Sequence, residues 1–96
     1  MIVIVAYDIS DDYKRDRAAK LLLSMGFQRI QRSLYAARGG REKARQVAAA
    51  LKRIIDPVTD RVDIILVHDH TWETRIVIGE GANIPGAKPK PGVTLA

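Results

Sequence analysis

An α+β sandwich, with two helices laid on one face of a mostly antiparallel sheet, is the fold class this sequence predicts. Three observations carry it. The chain opens on a continuous β-branched apolar run, Ile2 to Tyr7, of the kind found in strands covered on both faces. Two later segments repeat apolar residues at helical spacing, and the stretches around them alternate with a period of two. At 96 residues the chain suffices for one two-layer core and is too short for two, which excludes a ligand site enclosed between two domains of one chain.

Ile2 to Tyr7 reads as a central strand. Asp11 and Asp12 can cap the next element, and Ala18, Leu21, Leu22 and Met25, at i, i+3, i+4 and i+7, predict an amphipathic helix from about Asp12 to Met25 with Gly26 as its stop. Between Phe27 and Ala37, residues Ile30, Leu34 and Ala36 fall on one side of a strand, and Arg29, Gln31, Ser33 and Tyr35 on the other. Eleven residues are long for one strand, so a bend or bulge near Arg32–Ser33 is expected to divide it. After the break at Gly39–Gly40, Ala44, Val47, Ala48, Leu51 and Ile55 predict a second helix, ended by Asp56–Pro57. Val62 to Val67, with Ile64, Ile65 and Leu66 in succession, predicts an interior strand, and Arg75 to Ile78 a short fifth one closed by Gly79. Beyond it, Pro85, Pro89 and Pro91 stand among Gly81, Gly86 and Gly92, which predicts a domain over residues 1–79 and a flexible tail over 80–96. The order matches a ferredoxin-like βαββαβ sandwich with one strand added. That fold hosts RNA binders, metabolite sensors and small enzymes, so it leaves function open.

The formal charge is +5, from 16 Lys and Arg against 11 acids, and ten of the cations are Arg. An Arg bias suits planar, bidentate partners such as phosphate, and so favours nucleic acid. The absence of Cys excludes disulfide scaffolds, thiolate metal sites and Cys nucleophiles. No stretch approaches the roughly 18 apolar residues of a spanning helix, so no membrane is expected and a cytoplasmic location is. Neither Gly39–Gly40 nor Gly79-Glu80-Gly81 has the spacing of a phosphate-cradling loop.

Asp8 is the first candidate for chemistry. It ends the first strand beside Ser10-Asp11-Asp12, where loops and ligands meet. A turn-forming Asp bonded to its own backbone is one reading, and a ligand for Mg²⁺ is the other. One carboxylate is a poor octahedral site. A two-fold axis that sets a second copy's Asp8 opposite the first would cure the shortage, and the two carboxylates would then need a cation or a proton between them. Lys14, Arg15 and Arg17 oppose the positive end of the helix dipole, and either ion pairs with Asp11, Asp12 and Asp16 or a bound phosphate accounts for them. Arg29, Arg32, Arg38, Arg41 and Arg45 extend this basic character across the bent strand to the second helix, as a nucleic-acid backbone would require. Tyr35, on the strand face of Arg29, Gln31 and Ser33, either stacks on a base or packs in the protein. His68 and His70, at i and i+2 after a strand, could share a transition metal or be polar loop residues. No Ser-His-Asp or Cys-His arrangement is supported.

Val5-Ala6-Tyr7-Asp8-Ile9, the helix with Lys14, Arg15 and Arg17, Gly26, the run Arg29-Ile30-Gln31-Arg32-Ser33-Leu34-Tyr35 and the late Asp63-Ile64-Ile65 together resemble the CRISPR-associated Cas2 family, the small subunit of the spacer-acquisition machinery. The resemblance runs from Met1 to about Gly79. It implies a ferredoxin-like homodimer in which Asp8 of both protomers, the catalytic and metal residue, holds Mg²⁺ or Mn²⁺, and in which Arg75 to Ile78 completes the partner's sheet. It implies that Lys14, Arg15, Arg17, Arg29, Arg32 and Arg38 face nucleic acid, with Tyr7, Ser33 and Tyr35 in support. The activity implied is that of a metal-dependent endonuclease acting on single-stranded RNA or double-stranded DNA. The alternative is a non-catalytic scaffold that bridges dimers of the CRISPR integrase subunit on protospacer DNA, and a stand-alone RNA-binding domain is a further one. Ala36 departs from the acidic residue that many members place after this aromatic, and Tyr35 stands where Phe is frequent.

Overall fold

The computed structural model describes residues 1–79. The expected tail at 80–96 lies outside the described residues. The apolar opening run forms β1 (Ile2–Asp8), followed by α1 (Asp12–Ser24), β2 (Gln28–Gln31), β3 (Leu34–Arg38), α2 (Arg41–Lys52), β4 (Arg61–Val67) and α3 (Asp69–Glu73). The four strands make one sheet in the order β2-β3-β1-β4, with every neighbouring pair antiparallel. β1 is central, as its composition requires: Val5 is the register partner of Tyr35 on one side and of Ile64 on the other. The expected bend is found at Arg32–Ser33, which separates β2 from β3.

Alternation along β1 divides the molecule. Val3, Val5 and Tyr7 point toward the helices and pack with Ala18 and Leu22 of α1, Val47 and Leu51 of α2, and Phe27, Tyr35 and Ala37. α1 starts on Asp11, whose carboxylate accepts the Lys14 amide at 2.8 Å, and its end turns through Gly26 at φ +85°, a left-handed backbone that favours Gly. Lys43 of α2 joins the helices: its Nζ donates to the Met25 carbonyl at 2.7 Å and lies 5.3 Å from the centre of the Phe27 ring. The loop after β1 is held from two sides. Arg15 Nη1 donates to the Ile9 carbonyl at 2.8 Å, and the Ser10 amide donates to Asp60 Oδ1 at 3.1 Å. Asp60 Oδ2 also accepts the Asp56 amide at 2.9 Å, so one carboxylate ties this loop to the approach of β4.

Two expectations are corrected. β4 is an edge strand in this chain, not an interior one, and Ile65, in the middle of its apolar run, points away from the helices and is 49% exposed. After β4 the chain folds into α3, five residues that carry too little periodicity to be legible in the sequence. Within this one chain Arg75 to Ile78 is not one of the four strands of the sheet: Val77 makes an isolated bridge, and Ile76 and Ile78 are exposed. α3 exists through tertiary contacts: Trp72 packs on Ile2 and Ala36, Asp69 accepts the Met1 ammonium at 2.8 Å and Arg38 at 3.1 Å, and the Arg75 guanidinium lies 3.8 Å from the centre of the Trp72 ring. No helix among the described residues is long and apolar enough to cross a membrane.

Lys43→Met, which keeps the aliphatic stem but removes the donor to Met25, is expected to lower stability in urea unfolding by about 1–2 kcal/mol. The Asp56 and Ser10 amides, in that order, hold the Asp60 carboxyl below its ordinary value of 3.8, so its contribution is present above that value and is lost as pH falls through the depressed one. The Tm of Asp60→Ala is therefore expected below that of the parent near neutrality, with the gap closing as pH falls below the ordinary carboxylate value.

Candidate functional site

The face of the sheet opposite α1 and α2 carries Ile2, Ile4, Ala6 and Asp8 from β1, with Val67, Ile65, Asp63 and Arg61 of β4 as their register partners. It is apolar toward the start of β1 and charged at the end, where Asp8 stands. Arg61 is opposite Asp8, but its guanidinium is engaged by Asp63 through two bonds, Nε to Oδ2 at 3.0 Å and Nη2 to Oδ1 at 3.1 Å. That hydrogen bonding holds the Asp63 carboxyl below the usual range. Asp8 is exposed and, among the described residues, has no ion pair or side-chain hydrogen bond. The turn-forming alternative is therefore not the one adopted.

The predicted cations separate into two groups. Arg15 is latched onto the Ile9 carbonyl and paired with Asp12, and Arg29 lies 5.5 Å from the Tyr35 ring centre while donating to the Arg32 carbonyl at 2.8 Å. Both guanidinia hold the fold. Arg38 is the register partner of Ile2, six residues along β1 from Asp8, or about 20 Å at 3.4 Å per residue, and is bonded to Asp69. Arg17 and Arg32 are exposed and form no ion pair among the described residues, and half-buried Lys14 lies in the field of Asp60. Lys14 and Arg17 follow the Asp8 loop on α1. Arg32 reaches the same end, because the Tyr7 amide donates to the adjacent Ser33 carbonyl at 3.1 Å.

Tyr7, Ser33 and Tyr35 are brought together as support beneath that end. The rings of Tyr7 and Tyr35 stack with centres 5.9 Å apart, inside the core between sheet and helices. Tyr35 is fully buried, so its ring is closed to a base. Burial first, and then the neighbouring Tyr7 hydroxyl, pushes the Tyr35 phenol above its ordinary value and keeps it protonated, although neither its hydroxyl nor Arg29 Nε has a well-formed hydrogen bond. His68 precedes α3 and His70 lies within it, so the two do not share a strand face, and the pairing expected for a transition metal is not formed. Both stand at the Met1 end of the sheet, as Val67 is opposite Ile2. A depression of about 170 Å³ between Ile2, Ile30, Ala36, Arg38 and Trp72 is likewise at that end, away from Asp8.

A hard divalent cation would find an oxygen donor in Asp8, which matches its preference, but no cluster of three or more metal-ligating side chains exists among the described residues of one chain. The fit is half a site. Reasoning from sequence missed Tyr13, Asp60 and the Arg61–Asp63 pair. An aromatic in the first turn of a helix was a visible signal for Tyr13, and an acid just before a strand was one for Asp60, but neither identifies its partner.

Comparison with known proteins agrees with this architecture. Residues 1–75 match the family model described as CRISPR associated protein Cas2. The "CRISPR-associated endoribonuclease Cas2" of Aeropyrum pernix is 46% identical over 65 residues, 68% of this chain and 71% of that protein. A "CRISPR-associated endonuclease Cas1/endonuclease Cas2 fusion" of Thermoproteus tenax is 33% identical over 78 residues, 81% of this chain and 30% of the fusion. The crystal structure of Streptococcus pyogenes Cas2 superposes with a TM-score of 0.70 at 24% identity, covering 82% of this chain and all of that one, and so shares its fold. With an open-faced ferredoxin-like sheet, a lone exposed Asp at the end of its central strand and a family match across three quarters of its length, this chain belongs to the Cas2 family of CRISPR-associated proteins.

Proposed function

We propose that this chain works in CRISPR adaptation and antiviral defence as a nucleic-acid-binding homodimer, and that the dimer is a metal-dependent endonuclease on single-stranded RNA or double-stranded DNA. One observation carries the proposal: Asp8, exposed and without an ion pair among the described residues, stands at the margin of a sheet face that α1 and α2 do not cover and on which Ile65 remains 49% exposed. A second copy laid face to face would cover Ile4 and Ile65 and bring two Asp8 carboxylates together. Like charges in that position require a cation, and Mg²⁺ or Mn²⁺ suits oxygen donors. The ion, when bound, would supply charge stabilisation at the phosphate and lower the pKa of a bound water.

The remaining work falls to the chain's own residues. Lys14, Arg17 and Arg32 attract and align the phosphate backbone, and Arg15 with Asp60 fixes the loop that carries Asp8. In hydrolysis a water oxygen bonds to phosphorus as one ester P–O bond breaks, and the water proton passes to solvent, because both histidines stand at the far end of the sheet. The lack of a base makes the reaction slow. The relationship to the Thermoproteus tenax fusion, which joins Cas1 and Cas2 in one chain, favours a second reading in which the same basic dimer bridges Cas1-type integrase subunits on a DNA duplex without cutting it.

Asp8→Asn is expected to fold and to bind a labelled RNA or duplex DNA as the parent does, while losing Mg²⁺-dependent cleavage by about 100-fold or more. Unchanged cleavage would remove the catalytic reading and leave the scaffold. Ile65→Glu buries a charge at the proposed interface and is expected to shift light-scattering mass from dimer to monomer, weakening association at least about tenfold with the circular dichroism spectrum unchanged. A dimer that withstands it would place the interface elsewhere.

A further inference from the structure

The chain has five aromatic residues, and Tyr7, Phe27, Tyr35 and Trp72 are all buried. Tyr13 is the exception, with 70% of its surface exposed in the first turn of α1, five residues after Asp8. Arg17, one helical turn later, places its guanidinium 5.8 Å from the centre of the Tyr13 ring. This contact sets the guanidinium against the ring, most of whose surface is left to solvent. Lys14 and Arg17 stand on the same turns, where the acids Asp12 and Asp16 are paired with Arg15 and Lys20, so a flat group attached to an anionic chain is the chemistry the ring and its cations fit.

We infer that Tyr13, held by Arg17, is a stacking platform for an unpaired nucleobase, so that the nucleic acid bound beside Asp8 is engaged as a single strand. The inference rests on the nucleic-acid reading above and narrows its substrate class. Internal bases of a duplex have both faces covered by their neighbours and cannot stack on a side chain unless they are expelled, whereas each base of a single strand has a face to offer. The stacking role that sequence assigned to Tyr35 as one alternative is therefore taken by the one aromatic ring that remains accessible.

Binding of the full chain is measured by fluorescence anisotropy with four labelled probes of equal length, about 15 nucleotides: oligouridine, oligothymidine, an abasic sugar-phosphate strand and a blunt duplex. Tyr13→Leu is expected to weaken the two base-bearing single strands by about 5- to 150-fold, and the abasic strand and duplex by less than about twofold. Tyr13→Phe is expected to bind as the parent does, and Tyr13→Trp to show fluorescence quenching with oligouridine that the abasic strand does not produce. Equal affinity of Tyr13→Leu and parent for the base-bearing strands, or an equal loss on all four probes, would overturn the platform while leaving nucleic-acid binding intact. A parent protein that binds none of the probes would overturn the nucleic-acid reading and the platform with it.

Discussion

The two-residue period of β1 is the constraint on which the rest of this molecule depends. A strand hydrogen-bonded on both edges has only its two faces to dispose of, and β1 sends Val3, Val5 and Tyr7 to one and Ile4, Ala6 and Asp8 to the other. Two helices suffice to cover one face. Among the described residues the other face is covered only in part, by Trp72 of α3 over Ile2 and Ala36, and Ile65 stays exposed on it. Ile65 and Asp8 therefore share one face of the sheet, four residues apart in register along β1.

The loop after Asp8 is more constrained than its exposure suggests. Asp11 caps α1, Arg15 reaches back to the Ile9 carbonyl, Ile9 is buried, and Asp60 takes the Ser10 amide. These bonds come from two separate parts of the chain, the start of α1 and Asp60, and converge on three consecutive residues, Ile9 to Asp11. The carboxylate is thereby presented without being consumed, since the guanidinium of its register partner, Arg61, is already engaged by Asp63. Preorganisation of this kind lowers the cost of ordering a site when its ligand arrives.

Charge alone would have misjudged the basic surface. Arg15, Arg29 and Arg38 have internal acceptors, a carbonyl or a carboxylate, whereas Arg17 and Arg32 form no ion pair among the described residues and reach the Asp8 end. A guanidinium with several donors can satisfy a backbone carbonyl and cross an aromatic ring at once, which is why Arg29 is part of the core's edge and Arg17 part of the surface.

The sequence by itself determined the order of elements from β1 to β4, the central place of β1, the division of the bent strand at Arg32–Ser33 and the position of Asp8 at a strand's end, because each arises from a local period, a cap or a turn residue within a few positions. Only the tertiary structure decided that Tyr35 faces the core, that β4 is an edge within this chain, that α3 follows β4, and which cations are spent on internal bonds. Alternation reveals that two sets of side chains are separated but not which set the helices will cover. The side covered by α1 and α2 was the one that looked polar in β2 and β3, since Tyr35 and the stem of Arg29 could be buried there and β1 had already set the register. Asp60 and Trp72 find their partners about 50 and about 70 residues away, and no pattern of nearby residues encodes a contact that chain folding alone creates.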